Sequence, residues 1–147
     1  MTNVKINGNG IKPSAKFAIV DTGTSLLYLL ETDYNKFKNM IMAASPDFNC
    51  NSVFYDYCFT NVNTCDAYWN QLQTLTVELG YNEYTITPQG YTLSNGDLDG
   101  HKCAIAVSYG PDSQGIYILG DTFLRNFVST YDYKKNKVEL SVNINAP

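Results

Sequence analysis

Alternating apolar and polar positions run through most of the chain. Val4 and Ile6 alternate before a Gly8-Asn9-Gly10 turn, and residues 15–20 (AKFAIV) form a second strand leading into Asp21. From Thr32 the period changes. Phe37, Met40, Ile41 and Ala44 fall at i, i+3, i+4 and i+7, the spacing of one helix face, with Thr32 or Asp33 available to cap its start and Pro46 bounding its end. A Cys- and Asn-rich loop fills 47–70. Leu75, Val77 and Leu79 then alternate with Thr76 and Glu78, Gly80-Tyr81-Asn82 turns, and Tyr84 and Ile86 mark the return strand. Residues 102–109 and 116–119 read as short strands, and 127–133 with 138–144 as a closing hairpin. Many short strands and one helix predict an all-β fold: short twisted antiparallel strands with one main helix, in a single domain over 1–147.

Composition narrows the function. With 14 acidic against 10 basic residues and a net charge of −4, the chain does not suit nucleic acid. Its one basic cluster, Lys134-Lys135-Asn136-Lys137, is a solvated hairpin turn. There is no apolar run long enough for a membrane-spanning helix and no signal-peptide pattern at the start. The opening TNVKINGNG reads as the middle of a sheet protein, so a fragment is expected. Cys50, Cys58, Cys65 and Cys103 show no C-x-x-C spacing and His101 is the only histidine, which argues against a metal site. An even cysteine count in a loop-rich stretch fits two disulfides and an oxidising compartment. Of the three possible pairings, Cys50–Cys58 and Cys65–Cys103 are favoured. His101 reads as an exposed strand-edge residue. NGDLDG at 95–100 is a turn, because a calcium loop counted from Asn95 or Asp97 ends on Ala106 or Ser108 and not on Glu.

The segment FAIVDTGTSLLYLL at 17–30 carries the candidate chemistry. It brings a carboxylate into an apolar run, where an isolated charge is costly unless hydrogen bonds or a shared proton compensate it. Gly23 allows a tight turn just beyond Asp21, with positive φ or close backbone approach expected there. The hydroxyls of Thr22, Thr24 and Ser25 can donate to the carboxylate and stabilise its charged form. About a hundred residues later, YILGDTFLRNF at 117–127 supplies a strand, Ile118-Leu119-Gly120, whose glycine can pass close beside another loop. Asp121 follows it and is placed to cap a short turn at 122–126.

On AIVDTGTSLL at 18–27, the helix after it, LTVELGYNEYTITPQGYTL at 75–93 and YILGDTFLRNFVSTYDYKKNKVEL at 117–140, the chain resembles the C-terminal lobe of pepsin-like aspartic proteases, the family of pepsin, cathepsin D and the vacuolar proteases. The resemblance implies that Asp21 is one of two catalytic aspartates. Thr22 would reach across to the other lobe, and Thr24 would hydrogen-bond the aspartate. Gly23 with Ile118, Leu119 and Gly120 would support the active-site loop. Ile19, Ser25 and Ile118 would line primed-side subsites for a peptide or protein substrate. The Cys65–Cys103 bridge is implied as well, whereas Cys50 and Cys58 look like an added loop. No cofactor is implied, and the compartment would be acidic and oxidising, secreted or lysosomal/vacuolar. D-T-G occurs once in this sequence. The N-terminal lobe, with the first aspartate and the flap, is the expected partner, and the early strands of this lobe also look cut short. The chain alone is therefore expected to be inactive. The other readings are a non-catalytic binding module and a homodimeric protease of the retroviral type.

Overall fold

The computed structural model describes residues 2–6, 9–10, 15–110 and 114–147. In chain order the first strands are β1 (Thr2–Ile6), β2 (Asn9–Gly10), β3 (Phe17–Val20), β4 (Leu27–Leu30), β5 (Phe59–Thr60), β6 (Leu75–Leu79) and β7 (Asn82–Ile86). Next come β8 (Thr92–Ser94), β9 (Cys103–Ile105), β10 (Val107–Gly110), β11 (Ile116–Leu119), β12 (Phe127–Asp132) and β13 (Lys137–Val142). The helices are α1 (Glu31–Ala44), α2 (Pro88–Tyr91) and α3 (Asp121–Leu124). The all-β expectation holds, with α1 as the one long helix. Of the early turn, Gly8 lies outside the described residues; Asn9 and Gly10 pair with Ile6 and Lys5.

The strands form sheets ordered β2-β1-β6-β7, β10-β4-β11-β3, β5-β9-β8 and β12-β13. Most pairings are antiparallel as expected, but β3 with β11 and β4 with β10 run parallel. Those partners are joined by long connections and not by hairpins, which frees their relative direction. The sheet β10-β4-β11-β3 has two unlike faces. Leu27, Leu29, Val107, Tyr117 and Leu119 are fully buried on one, beneath Phe37 and Ile41 of α1. On the other, Leu26, Ala104, Ala106 and Tyr57 form a second small core with Tyr28, Tyr55, Phe59, Leu93 and Leu98 against it. That core covers only the β10–β4 side. Across β11 and β3 the face stays open, with Ile118 half-buried and Ile19 and Phe17 exposed at 48% and 67%.

Several local readings need correction. Neither Thr32 nor Asp33 caps α1: Leu30 occupies the cap position in an extended conformation, without a side-chain cap, because β4 runs straight into the helix. Glu31 and Asp33 instead lie in the first turn, where the helix dipole favours negative charge, and Asp33 is buried, accepting the hydroxyl of Tyr117. The C-terminus behaves as read, with the Ser45 N–H bonding Ile41 O just before Pro46. β4 itself was not foreseen. His101 is not an exposed edge residue; it is 7% exposed, its ring stacked on Phe59 at 3.8 Å, because the 95–100 turn folds it inward. Cys50 is bonded to Cys58 and Cys65 to Cys103, with Cα–Cα distances of 4.1 and 4.9 Å.

Candidate active site

Asp21 follows β3 directly. Its backbone N–H donates to Leu119 O at 3.1 Å, continuing the parallel pairing of β3 with β11 by one residue. The chain then turns. Thr24 N–H returns to Asp21 O at 3.4 Å, the Gly23 N–H donates to Asp21 Oδ1 at 2.9 Å, and the Thr24 hydroxyl donates to Asp21 Oδ2 at 2.6 Å. Both carboxylate oxygens therefore face a donor. The residue is half-exposed at the surface, so the apolar run before it does not bury the charge. The Thr24 hydroxyl first, and the Gly23 N–H second, hold the Asp21 carboxyl below its ordinary range, outweighing a small opposing effect of burial. Of the three hydroxyls singled out in the sequence, only that of Thr24 reaches the carboxylate; Thr22 and Ser25 are exposed.

Gly23 departs from expectation. Its φ is not positive, and a Cβ there would sit 3.2 Å from Asp21 Oδ1. Its smallness keeps room for the carboxylate rather than permitting an unusual backbone. Gly120 meets its expectation fully: a Cβ would lie 2.3 Å from both Thr24 O and Leu26 O. The backbone of β11 thus threads against the loop, and α3 ties it down. Asp121 N–H donates to Thr24 O at 2.8 Å, Thr122 N–H to Ser25 O at 3.0 Å, and the Thr122 hydroxyl to Ser25 O at 2.9 Å. Asp121 is therefore not a cap. It is the first residue of α3, Gly120 holds the cap position, and it contributes to the loop through its N–H. The part played by Thr122 was missed; a hydroxyl residue two positions after the glycine gives no signal in sequence.

Ile118 pairs in register with Ile19 on one side and Tyr28 on the other, and Ser108 pairs with Tyr28. Ile19 and Ile118 thus share the open face beside Asp21, while Leu119 faces the core. Grooves of about 450 and 490 Å³ run along β7 and β13, and none of the residues just described lines them. Among the described residues, no group of three or more His, Cys, Asp or Glu side chains is placed to hold a metal ion.

What this arrangement offers is a solvent-facing carboxylate locked by a threonine and a glycine, on a loop braced by a threading strand, beside an apolar strip. Comparison with known proteins gives it a context. The chain is 31% identical over 145 residues to cathepsin E-A of Xenopus laevis, covering 96% of this chain and 33% of that protein. It is 32% identical over 130 residues to gastricsin of Macaca fuscata fuscata, covering 82% of this chain and 29% of that protein. It is 29% identical over 125 residues to plasmepsin IV of Plasmodium falciparum, covering 85% of this chain and 25% of that protein. It therefore spans a quarter to a third of the length of these relatives. The family model for eukaryotic aspartyl proteases matches residues 1–143. An all-β chain that matches this model over nearly its whole length, and that carries its single D-T-G on a loop threaded by Ile118-Leu119-Gly120, belongs to the eukaryotic aspartyl protease family.

Proposed function

We propose that this chain is the C-terminal lobe of a two-lobe acid endopeptidase and supplies the second of its two catalytic aspartates. The observation that carries the reading is the state of Asp21: both oxygens engaged by short-range donors, the carboxyl biased toward ionisation, and the group open to solvent. One carboxylate held ionised is half of what the reaction needs. A second, facing it a few ångströms away, would share a proton with it, since two like charges that close do not both ionise. The charged member then takes a proton from water as it attacks the scissile carbonyl, and the protonated member donates to that carbonyl oxygen. D-T-G occurs once here, so the partner aspartate must come from elsewhere.

The surface supports such a partner. Thr22 is exposed next to Asp21, free to reach across an interface. On the hairpin β12–β13, Phe127, Tyr131, Val138, Leu140 and Val142 share one face by register, yet only Phe127 and Leu140 pack against the main core. Tyr131, Val138 and Val142 are 39%, 43% and 78% exposed. An N-terminal lobe would cover them. Ile19, Ser25 and Ile118 would then line subsites for the residues on the leaving-group side of the cut, in a peptide or protein substrate. Two disulfides fit an oxidising compartment, and an acidic one, secreted or lysosomal/vacuolar, suits the dyad. Among the described residues no helix is long and apolar enough to cross a membrane.

The test is Asp21→Asn in the full two-lobe protein. Hydrolysis of a denatured protein at acid pH is expected to vanish while thermal unfolding stays nearly unchanged, because Asn keeps the shape and still accepts from Thr24. Retention of more than a few per cent of turnover removes Asp21 from the mechanism.

A further inference from the structure

Away from Asp21, a polar groove of about 240 Å³ opens at the β10 edge of the sheet β10-β4-β11-β3. One wall is a single face of α1, where Glu31, Tyr34 and Lys38 lie at i, i+3 and i+7. The other is the disulfide-closed loop Cys50–Cys58, through Tyr55 and Asp56, and Tyr109 of β10 forms the floor. The loop is fixed in place: the Ser108 hydroxyl donates to Asp56 O at 2.7 Å, and Tyr55 packs edge-on against Phe59 and His101.

The groove has an unused polar group at its base. Tyr34 is 3% exposed, stacks on Tyr109 with centroids 5.1 Å apart, and its hydroxyl has no hydrogen-bond partner among the described residues although it lines the groove. The ring is buried while the hydroxyl opens into the groove, where a ligand's donor can reach it. The carboxylates of Glu31 and Asp56 have no ion-pair partner among the described residues either. The one cation in the lining, Lys38, turns its Nζ toward Asn51 Oδ1 at 3.4 Å. The field inside is negative. Burial, then Tyr109 and Asp56, push the pKa of the Tyr34 phenol up, and Asp56, then burial and Glu31, push that of Tyr109 up, both disfavouring the phenolate. Two aromatic rings, a free phenol oxygen and two unpaired carboxylates are the complement of an ammonium or guanidinium group.

We propose that this groove binds a lysine or arginine side chain of the peptide substrate, at a position remote from the bond that is cut. The proposal rests on the endopeptidase reading above and adds a recognition site to it. Three inter-strand steps of about 4.8 Å separate β3 from β10, and Asp21, one residue before the Leu27–Val107 level, is three residues of about 3.3 Å from Tyr109 along the strands. The groove thus lies roughly 17 Å from Asp21, and because Tyr109 faces the α1 side of the sheet while Ile19 and Ile118 face the other, a substrate chain reaches it around the β10 edge, about six extended residues away. Because one of its walls is the Cys50–Cys58 loop, the preference is tied to that loop and not to the loop that carries Asp21.

The experiment uses the two-lobe protein that carries this chain, at about pH 6. A peptide series places lysine or its uncharged isostere norleucine three to seven residues from the cleaved bond. Lysine at one of those positions is expected to raise kcat/KM at least about fivefold, the size of a cation–π contact plus an exposed ion pair, with the gain shrinking as salt rises. Glu31→Gln with Asp56→Asn should bring the lysine-to-norleucine ratio to about one, and Lys38→Gln, which removes the competing charge, should increase it. The same peptides, fluorescently labelled, are titrated against the Asp21→Asn protein to read binding without cleavage. Equal binding and equal cleavage of the two peptides overturn the groove assignment, whatever the enzyme's activity. Lysine-selective binding with no hydrolysis by the parent protein upholds the groove and overturns the endopeptidase reading.

Discussion

The carboxylate of Asp21 gains two donors while giving up little water, and that balance governs its titration. Its ionisation lies below the unfolded range near 3.9, so its contribution to stability is present above that range and is lost as pH falls through the lower folded value. Thr24 is the larger cause, so Thr24→Val should move the Asp21 titration, followed by carboxyl-carbon NMR on this chain, upward toward the unfolded range; an unmoved curve would leave the hydroxyl without a role. With no positive φ to protect, Gly23→Ala should cost less than about 1 kcal/mol in denaturant unfolding. The added methyl at 3.2 Å from Oδ1 should still disturb the carboxylate and raise its titration. The D-T-G-T-S string marked this spot with three hydroxyls, and the family resemblance singled out Thr24 among them. The turn closed by Thr24 N–H onto Asp21 O supplies the physical reason, since it brings that hydroxyl onto the carboxylate, and residue types alone do not encode that closure.

Among the elements, the strands legible in sequence are those whose apolar residues alternate with polar ones, such as β6 with β7 and β12 with β13. β4 was illegible because its LYLL is covered on both faces, Leu27 and Leu29 by the main core and Tyr28 by the second, which erases the alternation. α1 was readable by its period and Pro46, but its start was misplaced, since a strand feeding directly into a helix leaves no capping residue to find. His101 was misread because its burial depends on Phe59, Tyr55 and Tyr57, brought to it from more than forty residues away. The threading of β11 through the loop makes a sharp prediction. Gly120→Ala forces a methyl to within 2.3 Å of two carbonyl oxygens and should destabilise by about 3 kcal/mol or more, whereas Gly110→Ala, with open space and no positive φ, should change little. The disulfides should differ in the same assay. Loop-closure entropy assigns about 4 kcal/mol to Cys65–Cys103, which closes 38 residues, and about 2.5 kcal/mol to Cys50–Cys58, which closes 8, so serine pairs at the former should lower the unfolding midpoint more.

Taken as an isolated body, the chain leaves apolar surface that its own elements do not cover: Phe17 and Ile19 on the open sheet face, Val128 and Val142 on the last hairpin, and Ile144 beyond it, at 67%, 48%, 51%, 78% and 91% exposure. A two-stranded hairpin with little covering is marginal in water, so β12–β13 should be the weakest part of the isolated chain and a main gain of stability when a second lobe docks. Hydrogen exchange reads this directly. In the chain alone the Phe127–Asp132 and Lys137–Val142 amides should exchange within the fastest group, while those of β4 and β11, the central strands hydrogen-bonded on both sides, should be among the slowest. In the two-lobe protein the hairpin should become protected and β4 and β11 should change little. Activity should follow the same division. One D-T-G cannot make a carboxylate pair, so the purified chain should not cleave a denatured protein between about pH 2 and 7, and adding the matching N-terminal lobe should restore acid hydrolysis together with hairpin protection. Cleavage by the chain alone, rising with the square of its concentration and accompanied by hairpin protection, would instead assign the uncovered faces to a second copy of this same chain.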